Sequence, residues 1–154
     1  MTIHSFHEHN LVSLLDPPAA QVGANSSWVQ PFVDGVGADR AVFMLVTGAL
    51  ASNDVDLDLY QATSSAGAGA AAISGASTSV ANGSTGEIAT IEIGPGALVS
   101  SVDSDGNSPY SYVQARVTSA ASQVWGLIYI RHNLRYPGPL TQDATYSAQV
   151  HVTD

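Results

Sequence analysis

The sequence predicts an all-β fold: a single-domain β-sandwich of jelly-roll type with about eight strands and an N-terminal arm. Short segments rich in Val, Ile, Tyr and Thr recur along the chain, as in β-strands. Segments dense in Gly, Pro, Asn and Asp separate them, and no helical periodicity competes with them. Strands of this length and spacing are typical of sandwiches and barrels.

Eight segments carry the strand signal. They are residues 27–33, 41–50, 55–63, 87–93, 97–103, 110–119, 124–132 and 146–154. AVFMLV (41–46) and VWGLIYI (124–130) are apolar at nearly every position, so they are expected at the centre, buried on both faces or at a subunit contact. Residues 64–86 are almost all Ala, Gly, Ser and Thr, which predicts a surface excursion with one weak strand around Ala71–Ile73.

A chain of 154 residues has the size of one domain, which we place at 26–154. Residues 1–25 are assigned to the N-terminal arm, whose apolar residues are followed by Pro17 and Pro18. Such a segment is ordered only when it packs on something, so we expect it to contact a neighbouring molecule. The contact residues predicted in the arm are Leu11, Val12, Leu14 and Leu15.

The charge of the chain limits its partners. It has no Lys, and four Arg oppose thirteen Asp plus Glu, which gives a formal net charge of -9. This charge repels phosphate, so nucleic acid and anionic membranes are not expected as partners. The first residues lack a basic region, and the apolar run LVSLL is too short for a signal peptide or a membrane span.

Asp54, Asp56 and Asp58 occupy every second position beside Val55, Leu57 and Leu59. In a strand this spacing sends the carboxylates to the face opposite the apolar side chains, where solvent hydrates them. The alternative is a calcium site, which needs further oxygen ligands from a neighbouring loop. The plain interpretation is favoured, and a metal site at the three aspartates stays open.

Other candidate sites carry weaker signals. His4, His7 and His9 supply ligand types that suit zinc, but they lack the HExxH pairing, and DSDGN (103–107) indicates a turn between strands. No GxSxG elbow or phosphate-binding loop is present, and the chain has no Cys. The prediction is therefore a protein without enzymatic activity and without a cofactor.

The chain resembles small virion proteins of tailed bacteriophages, of the kind encoded near the major capsid protein. The resemblance is carried by DLDLYQATSSAGAGAAAI, a strand of the type L-x-Q-A-T before a Gly/Ala-rich stretch, and by VWGLIYIRHNLRYPGP near the end. The matching residues are Leu59, Gln61, Ala62, Thr63, Ala66–Ala70 and Ile128–Tyr136.

The resemblance implies a capsid decoration (cement) protein, or a head-completion or neck component. Its partners would be the major capsid protein and further copies of itself, with a trimer preferred, and it would lie on the capsid exterior after assembly in the host cytoplasm. The runner-up is a carbohydrate-binding or adhesin-like module that stacks sugars on aromatic side chains, and the third alternative is a metal-dependent hydrolase using the aspartates. The aromatic candidates are Trp28, Trp125, Tyr110 and Tyr112.

Overall fold

The computed structural model describes residues 10–32, 38–99 and 109–134, and the chain is all-β there, as predicted. The strands form one sheet that is nearly closed into a barrel. They are β1 (Leu11–Asn25), β2 (Ala38–Thr47), β3 (Val55–Ala62), β4 (Ala71–Val80), β5 (Ile88–Ile93) and β6 (Tyr112–Leu134), with a 3-10 turn at Pro95–Ala97. The eight-stranded jelly-roll sandwich stays a prediction; its last strand, 146–154, lies outside the described residues.

The long strand β6 organises the sheet, whose order is β4-β3-β6-β2-β5. Its first part, from Tyr112 to Thr118, pairs with β3, and its second part, from Trp125 to Leu134, pairs with β2. β1 pairs antiparallel with both parts along the opposite edge. The two strands predicted at 110–119 and 124–132 are thus one strand, because the small residues between them continue the extended backbone.

β4 is longer than the predicted weak strand at Ala71–Ile73, since it runs through all of Ala71–Val80. A register shift against β3 and a left-handed Gly75 (φ 76°) interrupt the alternation. Because of this bulge Ile73 and Ala76, which are three positions apart, both face the interior and are buried. The small residues therefore build a wall of the barrel, with only three side chains of β4 in the core.

The core lies inside the barrel and takes buried residues from every strand except β1, which contributes the partly buried Leu15 and Ala24. β2 and β6 lie at the centre of the sheet, as predicted. Their inward side chains are almost completely buried: Phe43, Leu45, Trp125, Leu127 and Tyr129. In β3 the predicted alternation is observed, with Val55, Leu57 and Leu59 fully buried.

The N-terminal arm predicted for residues 1–25 contributes a strand to this sheet from Leu11 onward. Pro18 lies against Gly126 of β6, so that a Cβ atom at position 126 would be 2.9 Å from Pro18 Cγ. This contact lies within a register shift between β1 and β6, between Asp16 and Ala19, and a second shift precedes it between Leu14 and Asp16. Gly126 therefore provides the space for the Pro18 ring where the pairing of β1 with β6 is irregular.

Tyr129 places a polar atom in the core. Its ring packs on Phe43 with centroids 5.0 Å apart, and its hydroxyl makes no hydrogen bond with the described residues. Burial raises the pKa of the Tyr129 hydroxyl far above its ordinary value of 10. The folded state therefore holds the neutral phenol, which the unfolded chain ionises above pH of about 10.

We expect Tyr129→Phe to leave the free energy of unfolding unchanged or to raise it by up to about 1 kcal/mol at neutral pH, because it removes a buried hydroxyl without a described partner. Stability of the natural chain is expected to fall as pH rises above about 10, where only the unfolded state loses this proton. Urea denaturation at pH 7 and pH 10.5 measures both effects. If Tyr129→Phe loses as much stability as the natural chain between these pH values, the effect does not come from Tyr129.

Candidate functional site

The outer surface of the barrel has two unlike faces. On the β3 side, polar and charged side chains of β3, β4 and β6 point outward. This polar face comprises Asp56, Asp58, Tyr60, Ser77, Ser79 and Arg116. The guanidinium of Arg116 lies 3.6 Å from the centre of the Tyr60 ring, and its Nε donates a hydrogen bond of 2.9 Å to Gln114 Oε1. The contact with Tyr60 joins β6 to β3, whereas the hydrogen bond to Gln114 stays within β6.

The three aspartates of the sequence prediction have separate roles. Asp56 and Asp58 lie on the polar face, and Asp58 is in register with Arg116. Asp54 precedes β3, and its Oδ1 accepts a hydrogen bond of 2.7 Å from the backbone N–H of Asn82. No group of three or more His, Asp or Glu side chains in reach of one metal ion occurs in the described residues. The candidates His4, His7 and His9, and the 103–107 turn, lie outside them.

Replacing Asp54, Asp56 and Asp58 together with Asn is expected to lower the free energy of unfolding by no more than about 1.5 kcal/mol. Substitutions on an exposed face typically change stability by about 0.5 kcal/mol or less each, and the amide that replaces the Asp54 carboxylate would still offer an oxygen to the turn. Thermal denaturation with and without millimolar calcium measures the change. A calcium-dependent rise in the melting temperature of the natural chain alone would instead establish a metal site.

On the other side of the barrel, the outward side chains of the first part of β1, of β2 and of the second part of β6 are mostly apolar, and β5 adds the apolar Ile88 beside the polar Thr90 and Glu92. Partners across antiparallel strands share one face, so these residues form rows. The rows are Val12, Ile130 and Val42; then Leu14, Ile128 and Met44; then Gly126, Val46 and Ile88; Val124 extends them along β6. We call these residues the apolar face.

The apolar face is open to solvent. Of the five large apolar residues that are exposed in the described chain, three belong to it: Ile88 (63% exposed), Val124 (47%) and Leu14 (36%). Its central residues, such as Met44 and Ile128, are partly exposed. Three apolar positions in each of three rows, about 4.8 Å apart across the strands and about 6.7 Å apart along them, give a face of about 300 Å². This is at the lower end of the size range of the largest apolar patch on a soluble monomer, about 300–600 Å², and such patches are often functional.

Polar groups border the apolar face at one end. Arg40 Nε lies 3.3 Å from Glu92 Oε1, and both side chains are about half exposed. Next to them His132 Nδ1 lies 2.6 Å from Asn10 Oδ1. An exposed ion pair contributes little to stability. An apolar centre with a polar rim is the usual composition of a protein–protein interface.

The residues predicted as contacts in the arm separate onto two sides of the sheet. Val12 and Leu14 belong to the apolar face, whereas Leu15 packs against the core. Leu11 is in register with Arg131 at the start of β1, and its side chain lies outside the described part of the chain. Ile88 and Val124 were not predicted as contact residues. The sequence carried a signal for Ile88: it lies an odd number of positions from Ile91 and Ile93, so in a regular strand its side chain points to the opposite face.

The aromatic residues proposed for sugar stacking lie in different environments. Trp125 is fully buried and faces no solvent. Trp28 packs on the backbone of Gly67, where a Cβ atom would be 2.8 Å from the indole Nε1. Tyr110 lines an open apolar cavity of about 210 Å³ together with Phe32 and Leu98. Tyr112, at the start of β6, is in register with Ala62 of β3.

The comparisons with family models and with curated proteins do not indicate a function, so the function is argued from the chemistry of the surface. The sequence matches no family model and no curated protein. Within the described ranges, no helix has the length and apolar character needed to cross a lipid bilayer.

Proposed function

We propose that the chain is a non-enzymatic structural virion protein that binds the capsid surface as a decoration protein and works as a homo-oligomer. The observation that carries the proposal is the apolar face. A chain with a net charge of -9 and few charged residues keeps about 300 Å² of apolar surface together on one side of the sheet. Such a surface serves association, and the major capsid protein as partner follows from the resemblance to phage virion proteins.

The location on the capsid exterior is supported by charge. Net charge -9 without a single Lys disfavours contact with packaged DNA. The polar face offers a side that water hydrates while the apolar face is covered. The trimer is preferred by analogy, because capsid accessory proteins of the resembled kind often lie at local three-fold positions.

Particles purified from the source phage test this function. Antibodies against the chain are expected to label gradient-purified capsids, and purified protein is expected to sediment with capsids that lack it. Labelling of the exterior would distinguish decoration from a neck component, which would label one vertex only. Absence of the chain from purified particles, together with no capsid, portal or protease gene beside its own gene, would reject the proposal.

A carbohydrate-binding module is the second candidate, and the cavity beside Tyr110 is the observation that favours it. An aromatic ring at an apolar cavity can stack on one sugar ring. A glycan array with the natural chain and with Tyr110→Ala tests this function. Binding of a defined glycan that the variant loses would support the module, whereas an array without signal leaves the structural protein as the proposal.

A further inference from the structure

We propose that Asn82 is a site of spontaneous covalent modification, deamidation through a cyclic imide, and that the fold holds this reaction in check. Asn82 and Gly83 form the one Asn-Gly pair of the sequence. They lie in the exposed turn between β4 and β5. The reaction concerns the chain alone and does not depend on the proposed function.

The reaction needs only the chain and water. The backbone nitrogen of Gly83 attacks Cγ of the Asn82 side chain, and the side-chain nitrogen takes up the proton of the Gly83 N–H and leaves as ammonia. The resulting succinimide adds one water molecule, which opens either of its two C–N bonds and leaves aspartate or isoaspartate at position 82. Glycine favours the attack, because no side chain stands beside its nitrogen. Either product adds one carboxylate to the turn.

The folded turn occupies the attacking nitrogen. The N–H of Gly83 donates a hydrogen bond of 2.9 Å to the carbonyl of Leu50, and the N–H of Leu50 donates one of 2.9 Å to the carbonyl of Ser84. Leu50 is itself buried in the core, so its carbonyl is a fixed acceptor. Attack on Asn82 requires the Gly83 hydrogen bond to break, because its proton must leave and its peptide plane must turn toward the side chain.

Asp54 fastens the same turn from the side of β3. Its Oδ1 accepts a hydrogen bond of 2.7 Å from the N–H of Asn82, the residue that would be attacked. Burial does not protect Asn82, since its side chain is exposed and a Cβ added at Gly83 would meet nothing within 4 Å. Hydrogen bonds therefore limit the reaction, and local opening of the turn sets its rate.

Peptide mass spectrometry after incubation at mildly alkaline pH measures the conversion of Asn82, in the folded chain and in concentrated urea. Asp54→Ala removes the acceptor of the Asn82 N–H, whereas Asp54→Asn keeps an oxygen at the same place. Asp56→Ala is the matched control, because it removes a carboxylate of the polar face that pairs with Ser79 rather than with the turn. Circular dichroism checks that each variant is folded.

We expect Asn82 of the natural chain to convert at least about tenfold faster in urea than in the folded state. Folded Asp54→Ala should convert at least about threefold faster than the natural chain, and Asp54→Asn and Asp56→Ala should stay close to it. Equal rates in the folded chain and in urea, or an Asn82 that stays intact in urea, would overturn the proposal. An Asp54→Ala variant no faster than Asp56→Ala would show that Asp54 does not restrain the turn.

Discussion

Trp125→Ala is expected to lower the free energy of unfolding by about 3–5 kcal/mol, the range for removing a large buried aromatic side chain. Trp125 is fully buried in the middle of β6, at the point where this strand passes between β1 and β2. Its partners across the strands are the small residues Ala19 and Thr47, which cannot move into the space of an indole. The cavity left by the indole therefore stays open. The loss of stability includes both the hydrophobic transfer free energy of the indole and its van der Waals contacts.

Urea denaturation of two control variants separates the stability lost through packing from any effect of making a substitution at this point of β6. Val124→Ala changes the neighbouring residue, which is 47% exposed, and is expected to cost less than about 1 kcal/mol. Trp125→Phe keeps most of the volume and removes an indole N–H that has no described partner, so its cost should stay below that of Trp125→Ala. If Trp125→Ala unfolds within about 1 kcal/mol of the natural chain, the interior is not packed around this residue.

Gly126→Ala has the second largest expected effect, a loss of about 1–3 kcal/mol from overpacking. The added Cβ would lie 2.9 Å from Pro18 Cγ and 3.0 Å from the Pro18 backbone nitrogen. One of these atoms belongs to the backbone of β1, so the strand itself must move away from β6. The apolar face contains residues of both strands, and its first two rows would be displaced as well.

Gly96→Ala is the matched control for this substitution. It makes the same chemical change at a site where an added Cβ meets nothing within 4 Å, and its expected effect is neutral or stabilising by less than about 1 kcal/mol. Pro18→Ala, combined with Gly126→Ala, should recover part of the loss because it removes the ring that the Cβ meets. Additive losses in this double-mutant cycle would show that Pro18 and Gly126 are not in contact.

The sequence alone determined the fold class and the alternation within single strands. Val55, Leu57 and Leu59 were predicted on one face and Asp56 and Asp58 on the other, because period two is a local property of the extended chain. The central position of the two apolar strands was also predicted, since side chains that are apolar on both faces need cover on both. Val12 and Leu14, predicted as contact residues, are on the apolar face.

Only the tertiary structure decided which faces of the strands are buried against other strands. The length of β4 was not predicted, because its Ala and Ser residues carry little local signal and gain their place through pairing with β3. Likewise, the sequence left open whether the second face of the central strands is covered within the chain or between subunits. The structure leaves the outward side chains of Met44 and Ile128 partly exposed, because the sheet curves into a barrel around its other face. Whether a given face of a strand is buried depends on the long-range pairing of strands, and no local sequence pattern encodes that pairing.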